Sequence, residues 1–389
     1  MSAPRVQGWC PGALRPMAAG DGLVVRIRPP FARLTTAQAQ GLAELARRFG
    51  SGILQLTTRA NLQLRGVAAA DLPALQAGLA ALGLLDPRLT HAAEARLNIL
   101  IAPTAVADAL WKELHAALAA PDAPALPAKF GLALDLAPGG RQLAEASADI
   151  RLERSPGAVI LRADGAATGR AVDAAGAAAA AMALARWFVA SGGAGPDGRG
   201  RMRDHLARGA VLPAALAGDV PPDPPRRDPV PTVAFDFGLI SAEALRALAE
   251  RAPAGLRLTP WRAFHLPGVA DPSALAAIPG AIPSAILAPD DPRRRRFACT
   301  GAPGCPQAQG ATRALAQRLV LLPPPGRVLH IAGCAKGCAL PRPADLTLTF
   351  TQDGLRVIRN GTAAGDGPLA RDDAAILRMI PELTHAAPL

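Results

Sequence analysis

Four cysteines crowd into one stretch as Cys299-x5-Cys305 and, after twenty-eight residues, Cys334-x3-Cys338. Thiolates supplied in pairs by two loops suit the irons of a cubane 4Fe–4S cluster. Gly301, Gly304, Gly333 and Gly337 permit the tight backbone that turns amides toward sulfurs, and Pro306 follows a ligand position. Zinc is the alternative, but zinc usually asks for Cys-x2-Cys knuckles, and neither pair has that spacing. All four are therefore candidate cofactor and metal ligands. The fifth, Cys10, lies far off in sequence and reads as an ordinary thiol. Cysteines clustered this way fit metal ligation in a reducing compartment rather than a secreted disulfide framework.

The second chemical signal is charge. Against 31 acidic residues stand 42 basic ones, a formal +11, which calls for an acidic partner. Nucleic acid fits poorly, since Tyr is absent, aromatics are 3 % and no basic tail stands alone. Scattered arginines suit a small polyanionic ligand better. Arg26, Arg28, Arg59 and Arg65 fall on predicted strands, and the run Arg293 to Arg296 immediately precedes Cys299. That run is either a solvated face or a bidentate clamp on carboxylates, with Arg295 and Arg296 nearest the cysteines. His265 and His330 are the histidines to test first for a separate iron, although no facial-triad spacing is visible.

These groups need a scaffold. Gly22 to Arg28 alternates as a strand, and Thr35-Thr36-Ala37-Gln38 offers a capping box for a helix to about Arg48. Ile53 to Thr58 and Leu62 to Val67 read as strands, and Asp71 with Pro73 caps a helix to about Leu84. Strand, helix, two strands and helix make a ferredoxin-like half-unit. The order returns with a strand over Thr232 to Phe237, a Ser241-capped helix to about Arg251 and a strand over Leu256 to Thr259. Leu258 to Val269 matches Leu56 to Val67 at five of twelve positions, which indicates duplication. Trp261 stands where the first repeat has Arg59, so one half keeps a polar cleft while the other packs.

Val220 to Pro231 holds six prolines and four charges, a stiff exposed connector. The tail from Asp345 alternates and carries Asp353-Gly354 and Asn360-Gly361 turn signals, a small sheet. Residues 171–190 are apolar and about membrane length, but Asp173, Gly176 and Arg186 point to a buried helix instead of a span. Met1 to Gly20 has no apolar signal core. A cytoplasmic protein without membrane or nucleic-acid partners is expected.

Cys-Thr-Gly-x3-Cys followed by Cys-x3-Cys, on a duplicated ferredoxin-like chain, resembles the sulfite/nitrite reductase superfamily over nearly the whole length. The resemblance implies an α+β fold of duplicated ferredoxin-like half-domains plus two reductase-type α/β domains. The division expected is 1–75, 76–219, a linker at 220–231, 232–275 and a cluster domain at 276–389. It also implies that the four cysteines bind a 4Fe–4S cluster, with Cys338 bridging to siroheme iron. Leu-Thr-Thr-Arg-x3-Gln (56–63) looks like the family's arginine motif at the tetrapyrrole's distal face, and Leu-Pro-Ala-Lys-Phe (126–130) like its lysine motif. Lysine occurs only at 112, 129 and 336, and two of these lie in such motifs. A compact ammonium there suggests pocket roles for Lys129 and Lys336, whereas Lys112 reads as a solvated helix residue.

Two departures stand out. The reductases carry a second lysine where this chain has Gly131, and an arginine where it has Leu97, with Arg96 one position off. Reducing a small anion needs cations converging on one face, and a one-residue shift turns a side chain to the other side of a strand. A closer resemblance is to the precorrin-3B synthase branch, through Gly-Trp-Cys-Pro-Gly-Ala-Leu-Arg-Pro-Met (8–17), residues 20–29, Lys-Phe-Gly (129–131) and Ala-Gly-Cys-Ala-Lys-Gly-Cys-Ala (332–339). It implies a monooxygenase that takes precorrin-3A, O2 and two electrons to a C20-hydroxylated γ-lactone. Arg59 and Lys129 are then the catalytic candidates, with Arg65, Arg295, Arg296 and Lys336 as further substrate contacts. Siroheme, a separate non-haem iron or neither accompanies the cluster. No nicotinamide-binding fingerprint is present, so a separate reductase is the expected donor. The rival readings are an assimilatory sulfite or nitrite reductase and a non-catalytic iron–sulfur or tetrapyrrole-binding protein.

Overall fold

The computed structural model describes residues 10–277, 284–319 and 323–381. Gly8 and Trp9 of the opening motif lie outside them. The chain begins with β1 (Met17–Ala19), β2 (Gly22–Ile27), β3 (Arg33–Leu34), α1 (Thr36–Phe49), β4 (Ile53–Leu56), β5 (Leu62–Val67) and α2 (Leu72–Ala81). α1 starts as expected, since the Thr35 hydroxyl accepts the Gln38 N–H and the Gln38 side chain accepts the Thr35 N–H. α2 departs from expectation. Asp71 has helical dihedrals and makes no cap bond, because a 3-10 turn over Ala69–Asp71 already leads into the helix.

An α/β layer follows, with α3 (His91–Arg96), β6 (Ile99–Ile101), α4 (Asp108–Ala119), β7 (Leu132–Asp135), β8 (Ile150–Ser155), β9 (Ala158–Ala163), β10 (Arg170–Val172), α5 (Ala177–Ala190) and α6 (Met202–Ala207). Its sheet runs β10-β9-β8-β7-β6, with β6, β7 and β8 parallel. α5 is the Ala-rich stretch, and it buries Ala177, Ala181, Leu184 and Phe188. Among the described residues no helix is long and apolar enough to cross a membrane. The proline-rich segment is no free connector. Val220 exchanges hydrogen bonds with Gly169, and the Pro224 carbonyl and Arg226 N–H bond Arg141 at 2.9 Å each. Prolines cannot donate to a ladder, so the pinning uses carbonyls and the N–H groups of the non-proline residues Val220, Asp223 and Arg226.

The second repeat holds β11 (Val233–Phe235), β12 (Leu239–Ser241), α7 (Ala242–Glu250), β13 (Leu256–Leu258), β14 (Ala263–His265) and β15 (Ala285–Ile286). Here the two halves trade strands. β12 pairs with β4 and β3 pairs with β13, giving sheets β1-β2-β5-β4-β12 and β15-β11-β14-β13-β3. α1 and α7 pack on each other behind them. The backbone carries the duplication in detail. Phe31 and Phe237 have φ of 57° and 53° in the 3-10 turns before the traded strands, and Ala60 and Arg262 have φ of 50° and 57° at matching hairpin positions. Left-handed φ is costly for any residue with a Cβ, so two matched pairs point to common descent of the halves.

The last unit contains β16 (Arg296–Ala298), α8 (Thr312–Leu319), β17 (Leu329–Ala332), β18 (Ala344–Thr351), β19 (Gly354–Gly361), β20 (Leu369–Ala370) and α9 (Asp373–Met379). β16, β17 and β18 are parallel, and β18, β19 and β20 form the antiparallel tail expected from the turn signals. Ala298, Leu315, Ile331, Leu348, Val357 and Ile376 give this unit its own core. One continuous core runs through the other three sheets.

Candidate functional site

Strand alternation builds the cleft. Val25, Ile27, Leu54, Leu56, Leu62 and Leu64 are buried on the face of the first sheet that joins the common core. The intervening residues Arg26, Gln55, Gln63 and Arg65 take the other face. Gln63 sits opposite both Arg26 and Gln55, and Arg26 donates to its Oε1 at 3.3 Å. In the second sheet the matching face is closed. Arg257 there donates to the carbonyls of Ala102 and Ala105 at 3.0 Å each, and His265 Nδ1 lies 2.9 Å from the Pro231 carbonyl. One half keeps a polar face while the other is closed by Arg257 and His265; Trp261, expected to pack, stays 37 % exposed.

Arg59, on the hairpin between β4 and β5, donates to the Lys129 carbonyl at 2.9 Å. Burial, then Arg201 and Arg26, push its guanidinium down to about 10; Arg28 is also held near 10, by burial and then Arg26. Both stay charged at neutral pH. Lys129 lies exposed at the rim. Arg201 escaped sequence reasoning because it ends a Gly-rich loop with no motif. Its signal is structural: it donates to Asp149 at 2.9 Å, to Ser147 at 3.0 Å and to the Ala148 carbonyl at 3.2 Å. Asp149 is fully buried and also receives the N–H groups of Met202 and Gly131, so one carboxylate sets both the Arg201 and the Lys129 loops.

Cys10 belongs to this cleft too, close enough to Arg28 and Arg59 to act on both charges. It is brought there by Glu94, whose carboxylate accepts the Ala13 and Leu14 N–H groups and pairs with Arg28 at 3.3 Å. A cavity of ≈ 530 Å³ adjoins, lined by Arg28, Asn61, Leu84, Glu94, Leu97 and Trp111 among others. Arg26 Nε, Arg28 Nε and Asn61 Nδ2 are shielded from solvent without a partner among the described residues. Unmet buried donors favour an acceptor-rich ligand.

Both departures from the reductases are visible. Leu97 lines the cavity, while Arg96 turns away and donates to the Leu118 and Ala120 carbonyls at the end of α4. At Gly131 a Cβ would stand 2.8 Å from Asn98 Nδ2 and 3.1 Å from the Asn98 carbonyl oxygen, so no side chain fits there without displacing Asn98.

The cysteines leave the ends of β16 and β17. Cys299 Sγ accepts the Gly333 N–H at 3.2 Å, and Thr312 at the start of α8 donates to the Cys299 carbonyl at 2.7 Å. Cys338 keeps part of its surface exposed, yet burial pushes its thiol up. Cys299, Cys334 and Cys305 push it further and exposed Lys336 opposes, which puts all four sulfurs in one neighbourhood. Among the described residues no three of His, Cys, Asp and Glu converge as a single-ion site. Zinc gathers its thiolates around one ion, whereas a cubane gives each thiolate its own iron. Four thiolates in one neighbourhood are a donor set that fits the cluster. The two histidines singled out for a separate iron do not come together: His265 is bonded to Pro231, and His330 lies in another sheet.

Three of the expected substrate contacts have partners within the chain. Arg65 bonds Asp21 at 2.8 Å and the Gly304 carbonyl at 2.8 Å, so it docks the first cysteine loop onto the polar sheet. Arg296 is buried against Asp236 and the Phe237 ring, and Arg295 donates to the Asp290 carbonyl at 2.8 Å and reaches Pro323. Arg293 pairs with Asp291 and Arg294 bonds Thr232 and Ile286. The arginine run is a staple between the second repeat and the cluster unit, not a clamp.

Residues 15–82 match the nitrite/sulfite reductase ferredoxin-like half domain. A ferredoxin–nitrite reductase of Leptolyngbya laminosa is 40 % identical over 77 residues, 18 % of this chain and 15 % of that protein. The structure of the Mycobacterium tuberculosis NirA protein superposes with a TM-score of 0.63 at 19 % identity, covering 90 % of this chain and 77 % of that one, which speaks for the fold. A precorrin-3B synthase of Sinorhizobium sp is 32 % identical over 392 aligned positions, covering 92 % of this chain and 84 % of that protein. With that length of similarity, on this fold and around these four cysteines, the chain belongs to the precorrin-3B synthase family of the sulfite/nitrite reductase superfamily.

Proposed function

We propose that this chain is a precorrin-3B synthase, a monooxygenase that takes precorrin-3A, O2 and two electrons to the C20-hydroxylated γ-lactone. Similarity along the whole chain supports the substrate. The observation that weighs most against anion reduction is Gly131, where Asn98 occupies the room a second lysine would need. Arg201 is the one feature favouring the reductase reading, since it adds a cation beside Arg59. Three hydrogen bonds to Asp149, Ser147 and Ala148 hold it, however, and the Asp149 carboxylate offsets its charge.

When bound, the cluster on Cys299, Cys305, Cys334 and Cys338 supplies electrons one at a time, delivered by a separate reductase in the reducing cytoplasm. The chain's own residues bind and orient. Arg26, Arg28 and Arg59 meet the acetate and propionate groups of the tetrapyrrole, where charge-assisted hydrogen bonds are strongest. Lys129 caps the rim of the cleft. Leu84 and Leu97 keep the adjoining cavity apolar on one side, which suits neutral O2 better than an anion.

The test supplies cluster-replete protein and a strong reductant with sulfite, nitrite, or precorrin-3A under labelled O2. Label in the tetrapyrrole with negligible sulfide or ammonia is the expected result. Each missing oxyanion-type donor costs on the order of 10²–10³ in rate. Rapid sulfide or ammonia formation without oxygen incorporation would install the reductase reading. Iron, sulfide and tetrapyrrole analysis of the same sample decides whether siroheme or a separate iron accompanies the cluster.

A further inference from the structure

Behind the first cysteine loop lies a guanidinium without a hydrogen-bonded partner among the described residues. Arg313 is the second residue of α8, directly after Thr312, whose hydroxyl is bonded to the Cys299 carbonyl at 2.7 Å. Its Nε and one Nη are shielded from solvent and have no hydrogen-bond partner among the described residues. Two carboxylates lie near enough to act on it, Asp21 and Asp236, and each is already engaged. Asp21 holds Arg65 at 2.8 Å, and Asp236 holds Arg296. Neither carboxylate hydrogen-bonds Arg313, so its guanidinium is held without an ion-pair partner, near enough to Cys299 to act on it. An unpaired buried cation costs free energy unless an anion meets it.

We infer that Arg313 is a positioning residue whose charge faces the anionic cluster and biases it toward its reduced state. The inference rests on the cysteines holding a 4Fe–4S cluster. Four thiolates make such a cluster net negative, and reduction adds one electron from the donor while no bond breaks and no proton has to move. A fixed cation at this position stabilises the more negative state more than the less negative one.

The experiment is an anaerobic potentiometric titration of cluster-replete full-length protein, followed by electron paramagnetic resonance, on the wild type, Arg313→Met, Arg313→Gln and Arg313→Lys. Arg313→Met is expected to lower the reduced-to-oxidised ratio at fixed potential about tenfold, a midpoint fall of about 59 mV for one electron. Arg313→Lys is expected to restore most of it. Should Arg313→Met lose its cluster, the Gln and Lys variants decide. Both keep a hydrogen-bond donor and differ in charge, so a higher midpoint for Lys supports the inference and equal midpoints overturn it. An unchanged midpoint with full cluster content, whether or not tetrapyrrole affinity falls, overturns it. A wild type without acid-labile sulfide overturns the cluster reading itself, a distinct result.

Discussion

Replacing Asp149 by Asn changes one oxygen for an amide nitrogen and should disturb two loops at once. Asp149 Oδ1 receives Arg201 Nε at 2.9 Å and the Met202 N–H at 2.8 Å, and Oδ2 receives the Gly131 N–H at 3.0 Å. Asn can offer its oxygen to one side only, so its NH2 must face a donor on the other. Burial already pushes Asp149 above the usual carboxylate range, and Arg201 pulls it back. Removing that counter-charge strands a guanidinium. Breaking a fully buried pair costs about 3–5 kcal/mol. Because the Arg201 side chain is 29 % exposed, water makes up part of the loss, and about 2–3 kcal/mol is expected. Urea unfolding followed by tryptophan fluorescence measures it, since Trp187 packs 5.5 Å from His205 in the same layer. Tetrapyrrole affinity should fall as well, because Arg201 and the Lys129 loop lose their common anchor. A stability change under about 1 kcal/mol, or a full loss of stability with unchanged affinity, would refute this coupling.

Cys→Ser at 299, 305, 334 or 338 should each bleach the visible absorbance and remove most acid-labile sulfide, while Cys10→Ser leaves both intact; a Cys10 variant without cluster would contradict the ligand assignment. Arg59→Ala should weaken precorrin-3A binding roughly ten- to a hundredfold at unchanged cluster content, as a charge-assisted contact is worth about 1.5–3 kcal/mol. Unchanged affinity would place Arg59 outside the site. For pH, burial pushes the His330 imidazole down to about 4, against about 6.5 in the unfolded chain. As pH falls from 6.5 to 4 the unfolded chain takes up a proton that the folded one refuses, so stability present at neutral pH is lost, by up to ~3 kcal/mol. His330→Leu should flatten that part of the urea-midpoint profile, and parallel profiles would disprove the contribution.

What the sequence made legible followed from how local each constraint is. The Thr35 capping box, the Ser241 cap and the alternating tail depend on neighbours a few residues apart, and they appear where the pattern put them. The cysteines were legible for a related reason: thiolate chemistry narrows the use of four closely spaced sulfurs to a few cofactors. Arginine carries no such restriction. A guanidinium serves a ligand carboxylate, a carbonyl cage or a buried Asp equally well, and only the fold decides which. That is why Arg295 and Arg296 looked like a clamp and proved to be a staple, while Arg201 and Arg313, in no motif, stand beside Arg59 and Cys299. The traded strands escaped for another reason. β3 spans two residues and β12 three, too short for any periodicity, and their partners lie across the duplication. Yet that trade locks the halves together, so Arg257 and His265 can close one polar face without loosening the other. Duplication followed by closing one copy explains why a single cleft survives, and why its cations must be counted in space and not along the chain.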